Sequence, residues 1–290
     1  METTPQLKTL IRAFQLNEIT EYAIYLNLAK SEKDESNRKV FEQIAHEEKA
    51  QYEFWKKFTD EEMKPNRLLV IYYVLIARIL GLTFAIKLME RGEAKAQMAY
   101  TVVLMQIPEA KKIIEDEDAH EQKLIALIKE ERLNYVGSIV LGLNDALVEL
   151  TGALAGLSFG FQNTKVIAFA GLITGVAAGF SMAAAEYLSQ KHEEGLHPFK
   201  SAAYTGIAYF ITVGLLIIPY LFISQYIICL FITLSIAILI ILFFNYYISV
   251  AKDQPFKKRF FEMALISLGV SAITFGVSVL IKRYFGIALQ

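Results

Sequence analysis

Two pairs of side chains with ligand chemistry lie inside long apolar stretches in the second half of the chain. Asp145 and Glu149 are four residues apart, so both lie on one face of a helix. Met182 and Glu186 have the same spacing. Carboxylates in hydrocarbon are costly and commonly mark an ion pathway, and a thioether favours a transition metal over Mg²⁺ or Ca²⁺. The pattern predicts a metal path in which protons exchange for metal. The alternative is a structural set of mutually bonded acids.

A second group of candidate ligands lies in the polar first half. Glu117 and His120 have the Glu-x-x-His spacing, which places a carboxylate and an imidazole on one helix face. Bundles that bind two irons combine such pairs with single glutamates from other helices. This ligand chemistry suits iron or manganese. The predicted ligands, one cluster per helix, are Glu18, Glu48, Glu90, Glu93, Glu117 and His120.

Most other glutamates of the first half fit a simpler role, because a single Glu on a helix is usually a solvated surface residue. We expect that role for Glu21, Glu42, Glu47, Glu53, Glu115 and Glu121. A shift in helix register would bring Glu21 or Glu47 into the ligand set instead.

Helices must position both groups. Helical periodicity covers residues 6–30, 36–59, 67–105 and 108–132, which predicts a four-helix bundle. The apolar run 68–89 is interrupted by Arg78 and Lys87, so we expect a core helix of the bundle rather than a membrane span. Five later runs reach the roughly 20 residues that a span needs: 134–160, 165–190, 200–223, 225–250 and 260–284. The predicted class is all-α, with a four-helix metal-binding domain at 1–132 and a five-span domain at 133–290.

Composition supports this division. The chain of 290 residues is 54% hydrophobic. Residues 1–132 hold 20 Lys/Arg and 23 Asp/Glu, whereas residues 133–290 hold 9 and 7. A net charge of −1 gives no indication of nucleic-acid binding. The single cysteine, Cys229, excludes an internal disulfide and a Cys-based metal cluster.

The expected orientation of the chain in the membrane follows from the N-terminus and the charges of the loops. The N-terminus lacks the apolar core of a signal peptide, so we expect a cytosolic first domain. With that domain in the cytosol, six basic residues fall inside and three outside, as the positive-inside rule requires. The inner ones are Lys191, Lys200, Lys252, Lys257, Lys258 and Arg259, and the outer ones are Lys165, Lys282 and Arg283. The basic C-terminal tail argues mildly for the reverse.

Two glycine rows share a four-residue spacing in the first two predicted spans. They are Gly152, Gly156 and Gly160, and Gly171, Gly175 and Gly179. Small residues at this interval allow close helix packing in lipid. We expect the two spans to pack tightly on each other or across a dimer.

Four segments of the first half resemble the helices of the rubrerythrin-type ferritin-like family, which binds a di-iron or related metal pair. They are LNEITEYAIYLNLA (16–29), IAHEEKAQYEFW (44–55), LTFAIKLMERGEAKAQMAY (82–100) and IIEDEDAHEQKLIALI (113–128). The resemblance implies the ligand set above, with Glu90 or Glu93 on the third helix, and places Tyr25 near the metals. Gln51 stands where the family often has a histidine, which implies one weaker metal position and disfavours fast oxidase chemistry.

NYVGSIVLGLNDALVELTGALAGLSFG (134–160) and AGLITGVAAGFSMAAAEYLSQK (170–191) resemble the first two spans of the vacuolar iron transporter family. That family has five spans, forms dimers and exchanges divalent iron for protons. The resemblance implies that Asp145, Met182 and Glu186 line the path, while Glu149 stands where many members are uncharged. The short linker 189–200 replaces the family's charged metal-binding insert, whose role the ferritin-like domain would take.

Together the resemblances identify the chain as similar to the membrane-bound ferritin, or erythrin–vacuolar iron transporter, family. We expect an integral protein of a prokaryotic inner membrane, a homodimer, that exports Fe²⁺ or Mn²⁺ in exchange for protons. The alternatives are a membrane-anchored di-iron ferroxidase or peroxidase and a structural metal-sensing module.

Overall fold

The chain forms two compact units, residues 1–130 and 131–290. The structure is a computed structural model that describes residues 5–93, 103, 106–111, 126, 128, 130–192 and 197–285. Every regular element in these ranges is helical, which confirms the predicted all-α class. The helices of the first unit are α1 (Pro5–Ser31), α2 (Glu35–Thr59), α3 (Arg67–Leu80) and α4 (Leu82–Glu93).

Helices α1 and α2 form an antiparallel pair joined by a short loop. Asp34 caps α2, since its side chain accepts a hydrogen bond from the Asn37 N–H at 2.9 Å. Asp60, in the left-handed region with φ 55°, ends the helix. Buried apolar residues, among them Leu28 and Phe41, hold the two helices together. The pairing brings carboxylates of α1 opposite one of α2.

The prediction of one helix over 67–105 is wrong at Gly81. This residue has φ 110°, and it separates α3 from α4. A Cβ atom at Gly81 would lie 2.1 Å from Oε1 of Glu130. Oε2 of Glu130 accepts a hydrogen bond from the Thr83 N–H at 2.9 Å and so caps the first turn of α4. Glycine is needed here because only it tolerates both the backbone conformation and the close carboxylate.

The expected core helix over 68–89 is divided between α4, which buries apolar residues in the core of the unit, and α3, which packs on that core with one face only. Ala77 is the buried residue of α3, whereas Leu68 is 80% exposed and Ile79 63% exposed. In α4, by contrast, Ile86 and Met89 are buried in the core of the unit. Because α3 is apolar almost all around, its sequence does not reveal which face packs.

The second unit begins with a short helix and continues with five long ones. They are α5 (Glu131–Asn134), α6 (Val136–Phe161), α7 (Thr164–His192), α8 (Pro198–Phe222), α9 (Tyr226–Ala251) and α10 (Phe256–Phe285). The five long helices are long and apolar enough to cross a membrane. They lie within a few residues of the predicted spans, and the chain is an integral membrane protein.

The first two spans pack on each other, as predicted, but most of their glycines face other helices of the chain. A contact of these glycines across a dimer stays a prediction. A Cβ atom at Gly156 would lie 2.8 Å from Ser278 Oγ of α10. One at Gly175 would lie 2.6 Å from Val213 Cγ1 of α8. Only Gly171 faces the other row's helix, where a Cβ atom would meet Leu154 Cδ2 at 2.8 Å. The spacing of glycines indicates close approach, but the partner helix is decided by the whole packing arrangement.

Buried hydroxyl groups complete the contact between α6 and α10. Ser271 Oγ donates to Thr151 Oγ1 at 3.0 Å, and Ser267 Oγ donates to the Leu147 carbonyl at 3.2 Å. Hydrogen bonds of this kind hold helices together in lipid. Gly152 of α6 also lies against α10, where a Cβ atom would lie 3.0 Å from Thr274 Oγ1.

Candidate metal sites

Three carboxylates of the first unit form a compact group. Each of Glu18, Glu21 and Glu48 offers an oxygen, and these oxygens lie within 4.8 Å of one another. Glu18 and Glu48 are 6% and 3% exposed. Carboxylates this close repel one another unless protons or a cation neutralise them. The group therefore has the chemistry of a site for a hard cation.

The expectation of a solvated Glu21 is wrong. This residue is only 9% exposed and lies one helical turn beyond Glu18 on α1. Positions i and i+3 share a helix face, so the face that brings Glu18 to α2 also brings Glu21. Glu42 and Glu53 are exposed on α2, as expected, and Glu47 is half-buried.

The other predicted ligands do not join this group in the described part of the chain. Glu90 is half-buried on α4 and is not a member of this group of three. Glu93 ends α4, and its side chain lies outside the described atoms. Glu117 and His120 lie outside the described residues. Tyr25, one turn after Glu21 on α1, is fully buried, and Gln51, one turn after Glu48 on α2, is half-buried.

The carboxylates in the loop after α2 have cations of their own. Arg12 Nε donates to Glu61 Oε2 at 2.9 Å, and this hydrogen bond lowers the pKa of the Glu61 carboxyl. A hydrogen bond from Lys56, with a second from Tyr52, lowers the pKa of Glu62. Both carboxylates are solvent-exposed and remain ionised at neutral pH, as ordinary surface ion pairs do.

In the second unit, Glu186 is turned into the helix bundle. It is 6% exposed, and its Oε1 accepts a hydrogen bond from Ser138 Oγ of α6 at 2.7 Å. Within the described ranges the Ser138 hydroxyl is its hydrogen-bond donor, and no Lys, Arg or His forms an ion pair with it. The hydroxyl of Ser138 brings no positive charge, so the carboxylate is left available as an oxygen ligand for a cation.

Two acids of α6 lie farther along the same helix. Asp145 is half-buried, and Glu149 is exposed on the surface of the single chain. Glu149 Oε2 accepts a hydrogen bond from the hydroxyl of Tyr209 on α8 at 3.1 Å. Tyr209 is itself 1% exposed. The α8 helix thus orients one acid of α6.

Contacts between α6 and α7 fix the order of these groups. Ser138 meets Glu186 near one end of the pair, and Leu154 lies beside Gly171 toward the other. The helices are therefore antiparallel neighbours, and Met182 lies between the levels of Glu186 and Asp145. At about 1.5 Å per residue, Met182 is within about 5 Å of the level of Asp145.

Sequence reasoning missed Ser138 and Tyr209. Ser138 is spaced seven residues before Asp145, which is a same-face spacing that would have identified it. No comparable sequence signal marks Tyr209, because its role depends on how α8 packs against α6.

These features define a helical membrane protein with carboxylates and a thioether inside its first two spans. Residues 136–197 match the VIT family, the family of vacuolar iron transporters. The match covers α6 and α7, and it includes Asp145, Glu149, Met182 and Glu186. No curated protein matches the chain. The second unit is thus similar to this family of membrane metal transporters, whereas the ferritin-like resemblance of the first unit stays a prediction.

Proposed function

We propose that the chain is a membrane transporter of divalent iron or manganese. The observation that carries the proposal is Glu186, a buried carboxylate without a counterion among the described residues, in a stretch similar to the VIT family. Asp145 and Met182 lie along the same pair of helices. Intramembrane acids are rarely idle, and a simple anchor would need none.

In the proposed path, the ion passes from Glu186 past Met182 to Asp145 and Glu149. Each carboxylate replaces part of the water shell of the ion, and the thioether favours a transition metal. Carboxylates bind either a proton or the metal, so protonation from the far side would release the metal. This competition couples metal movement to a proton gradient.

We infer that the first unit captures the metal before transport. The close carboxylates of Glu18, Glu21 and Glu48 support this role. The further ligands of the proposed ferritin-like site are Glu90, Glu93, Glu117 and His120. Gln51 in place of a histidine favours a site that releases its metal, since an amide carbonyl is a weak ligand.

We propose export from the cytosol across a prokaryotic inner membrane. The support is the charge of the loops. The ends of α7 and α9 and the starts of α8 and α10 carry six basic residues, and these ends lie on the side where α6 begins. The first unit precedes α6 and would therefore be cytosolic.

We propose a homodimer on the evidence of Glu149. This acid is within a span, yet it is exposed on the surface of a single chain. An acid facing lipid is costly, and a second copy would cover it. Mass measurement of the detergent-solubilised protein tests this, and a monomeric mass at all concentrations contradicts it.

Transport is tested with purified protein in vesicles carrying a pH gradient. Asp145→Ala should abolish Fe²⁺ movement, whereas Ser158→Ala on the same helix should not, because Ser158 bonds to Tyr220 near the other end of α6. Wild-type vesicles that move no Fe²⁺, or an Asp145→Ala variant with normal flux, would refute the proposal.

A second candidate is a membrane-anchored di-iron ferroxidase or peroxidase. The compact carboxylate group favours it, because two irons held by carboxylates can react with oxygen or peroxide. The full-length protein loaded with Fe²⁺ would then consume oxygen or peroxide catalytically. Consumption that Glu48→Ala abolishes and Asp145→Ala leaves intact, with no Fe²⁺ flux, would favour this candidate over transport.

A further inference from the structure

Ser138 is a buried serine of α6 that contacts two other helices. Its Oγ donates to Glu186 Oε1 on α7 at 2.7 Å, and its carbonyl accepts from Thr205 Oγ1 on α8 at 2.9 Å. One turn farther, α6 and α8 come so close that a Cβ at Gly142 would lie 2.2 Å from the Thr205 carbonyl oxygen. The backbone of Ser138 is therefore held by α8, which fixes the position of its Cβ, and the hydrogen bond to Glu186 sets the direction of the hydroxyl.

The hydroxyl orients Glu186 without neutralising it. Ser138 and Glu186 are 4% and 6% exposed, so water contributes little to either group. A serine hydroxyl is neutral and donates one hydrogen bond, which leaves the second carboxylate oxygen and the charge for another ligand. An arginine or lysine in the same place would instead satisfy the charge permanently.

Ser138 also lies in line with the acids of α6. Asp145 and Glu149 follow it by seven and eleven residues, spacings that keep one helix face. The row extends over roughly 16 Å along the helix. The hydrogen bond from Ser138 places the carboxylate of Glu186 on α7 at one end of this row.

We propose that Ser138 is a positioning residue that holds Glu186 as the first carboxylate of the transport path. The ligand is a divalent transition-metal cation, which exchanges part of its water shell for the oriented carboxylate. The proposal rests on the proposed transport function. It predicts that replacing Ser138 changes the KM for the ion, whereas replacing a purely structural serine would change folding or the maximal rate.

The test measures initial Fe²⁺ flux into vesicles over a series of Fe²⁺ concentrations at a fixed pH gradient. Ser138→Ala should raise KM about tenfold with a maximal rate near that of the wild type, because a hydrogen bond to a charged group is lost. Ser138→Thr keeps the hydroxyl and should restore KM. Ser158→Ala, which removes a buried hydroxyl elsewhere on α6, should leave KM unchanged.

Several results would overturn the proposal. They are an unchanged KM in Ser138→Ala, a loss of maximal rate alone, or equal behaviour of the Ala and Thr variants. If the Ala variant does not reach the vesicles, Ser138→Cys keeps the size and weakens the donor. It should raise KM about threefold, and no rise refutes the proposal.

A double-mutant cycle with Glu186→Gln provides a second readout. Ser138→Ala should have no further effect on KM in that background, because the two residues act together. Additive effects would refute the positioning role. Failure of the transport function itself is distinguishable, since the wild type would then show no flux at all.

Discussion

The two units arrange their carboxylates in opposite ways. In the first unit, Glu18, Glu21 and Glu48 bring three oxygens within 4.8 Å of one another. In the second, Asp145 and Glu149 lie on one face of α6 and are separated by one helical turn, about 6 Å. The first arrangement concentrates negative charge at one place, and the second distributes it along a line.

This difference corresponds to holding an ion and passing it on. Three close carboxylates gain most when one cation neutralises them together, so a cluster retains metal. Acids along a line offer successive sites of lower charge, and an ion can leave each for the next. Neutral donors, the hydroxyls of Ser138 and Tyr209, orient two of these acids without blocking them.

The largest expected effect comes from a variant that changes transport but not metal binding by the first unit. Asp145→Ala should lower Fe²⁺ flux about a hundredfold or more, since the midpoint ligand of the line is lost, equivalent to about 2.7 kcal/mol. It should leave the amount of metal bound by the first unit unchanged. Metal analysis and vesicle flux on one preparation measure both.

The reverse variant completes that test. Glu48→Ala should reduce bound metal while flux at saturating Fe²⁺ persists, because the line in the membrane is intact. If each variant loses both bound metal and Fe²⁺ flux, metal binding and transport are not separated between the two units.

Glu21 tests the composition of the cluster. Glu21→Gln keeps the shape and removes one charge, so metal affinity of the first unit should fall about tenfold. Glu42→Gln, on the exposed side of α2, is the matched control and should bind as the wild type does. Titration with Mn²⁺ in the absence of oxygen measures both, and equal affinities would exclude Glu21 from the cluster.

Helix packing in the second unit gives a smaller effect. Gly175→Ala would place a Cβ 2.6 Å from Val213 Cγ1, and this overpacking should cost about 1–3 kcal/mol of stability. Gly160→Ala adds a Cβ in open space and should be neutral or slightly stabilising. Thermal unfolding in detergent compares them, and equal stabilities would contradict the assigned contact between α7 and α8.

The smallest effect concerns an exposed carboxylate that already has a cation. The pKa of Glu61 is lowered in the folded chain by Arg12, so the pair stabilises above the ordinary glutamate pKa of about 4.3. This contribution is lost as the pH falls through the lowered value. Arg12→Gln should therefore melt slightly earlier at pH 7, and this difference should shrink as the pH falls below the ordinary glutamate range. A pH-independent difference would argue for lost packing instead.

The helices and spans follow from sequence because apolar residues repeat at helical intervals and long runs have few charges. The break between α3 and α4 at Gly81 does not follow from the sequence, since a lone glycine in an apolar run can lie within a helix or end one. What decides it is the carboxylate of Glu130, which is distant in sequence and caps the new helix start. Tertiary contacts of this kind leave no local pattern.

The candidate sites show the same limit. The membrane acids could be identified from sequence because a charge in an apolar run is conspicuous. Glu21 could not be separated from surface glutamates, since its burial depends on how α2 packs on α1. The helices that most of the glycines face could not be predicted from the sequence either, because small residues permit close approach to any neighbour.

The central claim is that a divalent cation passes the acids of α6 and α7. The most direct measurement records Fe²⁺ and proton movement together in wild-type vesicles with an imposed pH gradient and in protein-free vesicles. The account predicts Fe²⁺ flux that requires the protein, with protons moving in the opposite direction. Protein that binds iron while neither ion crosses the membrane would contradict it.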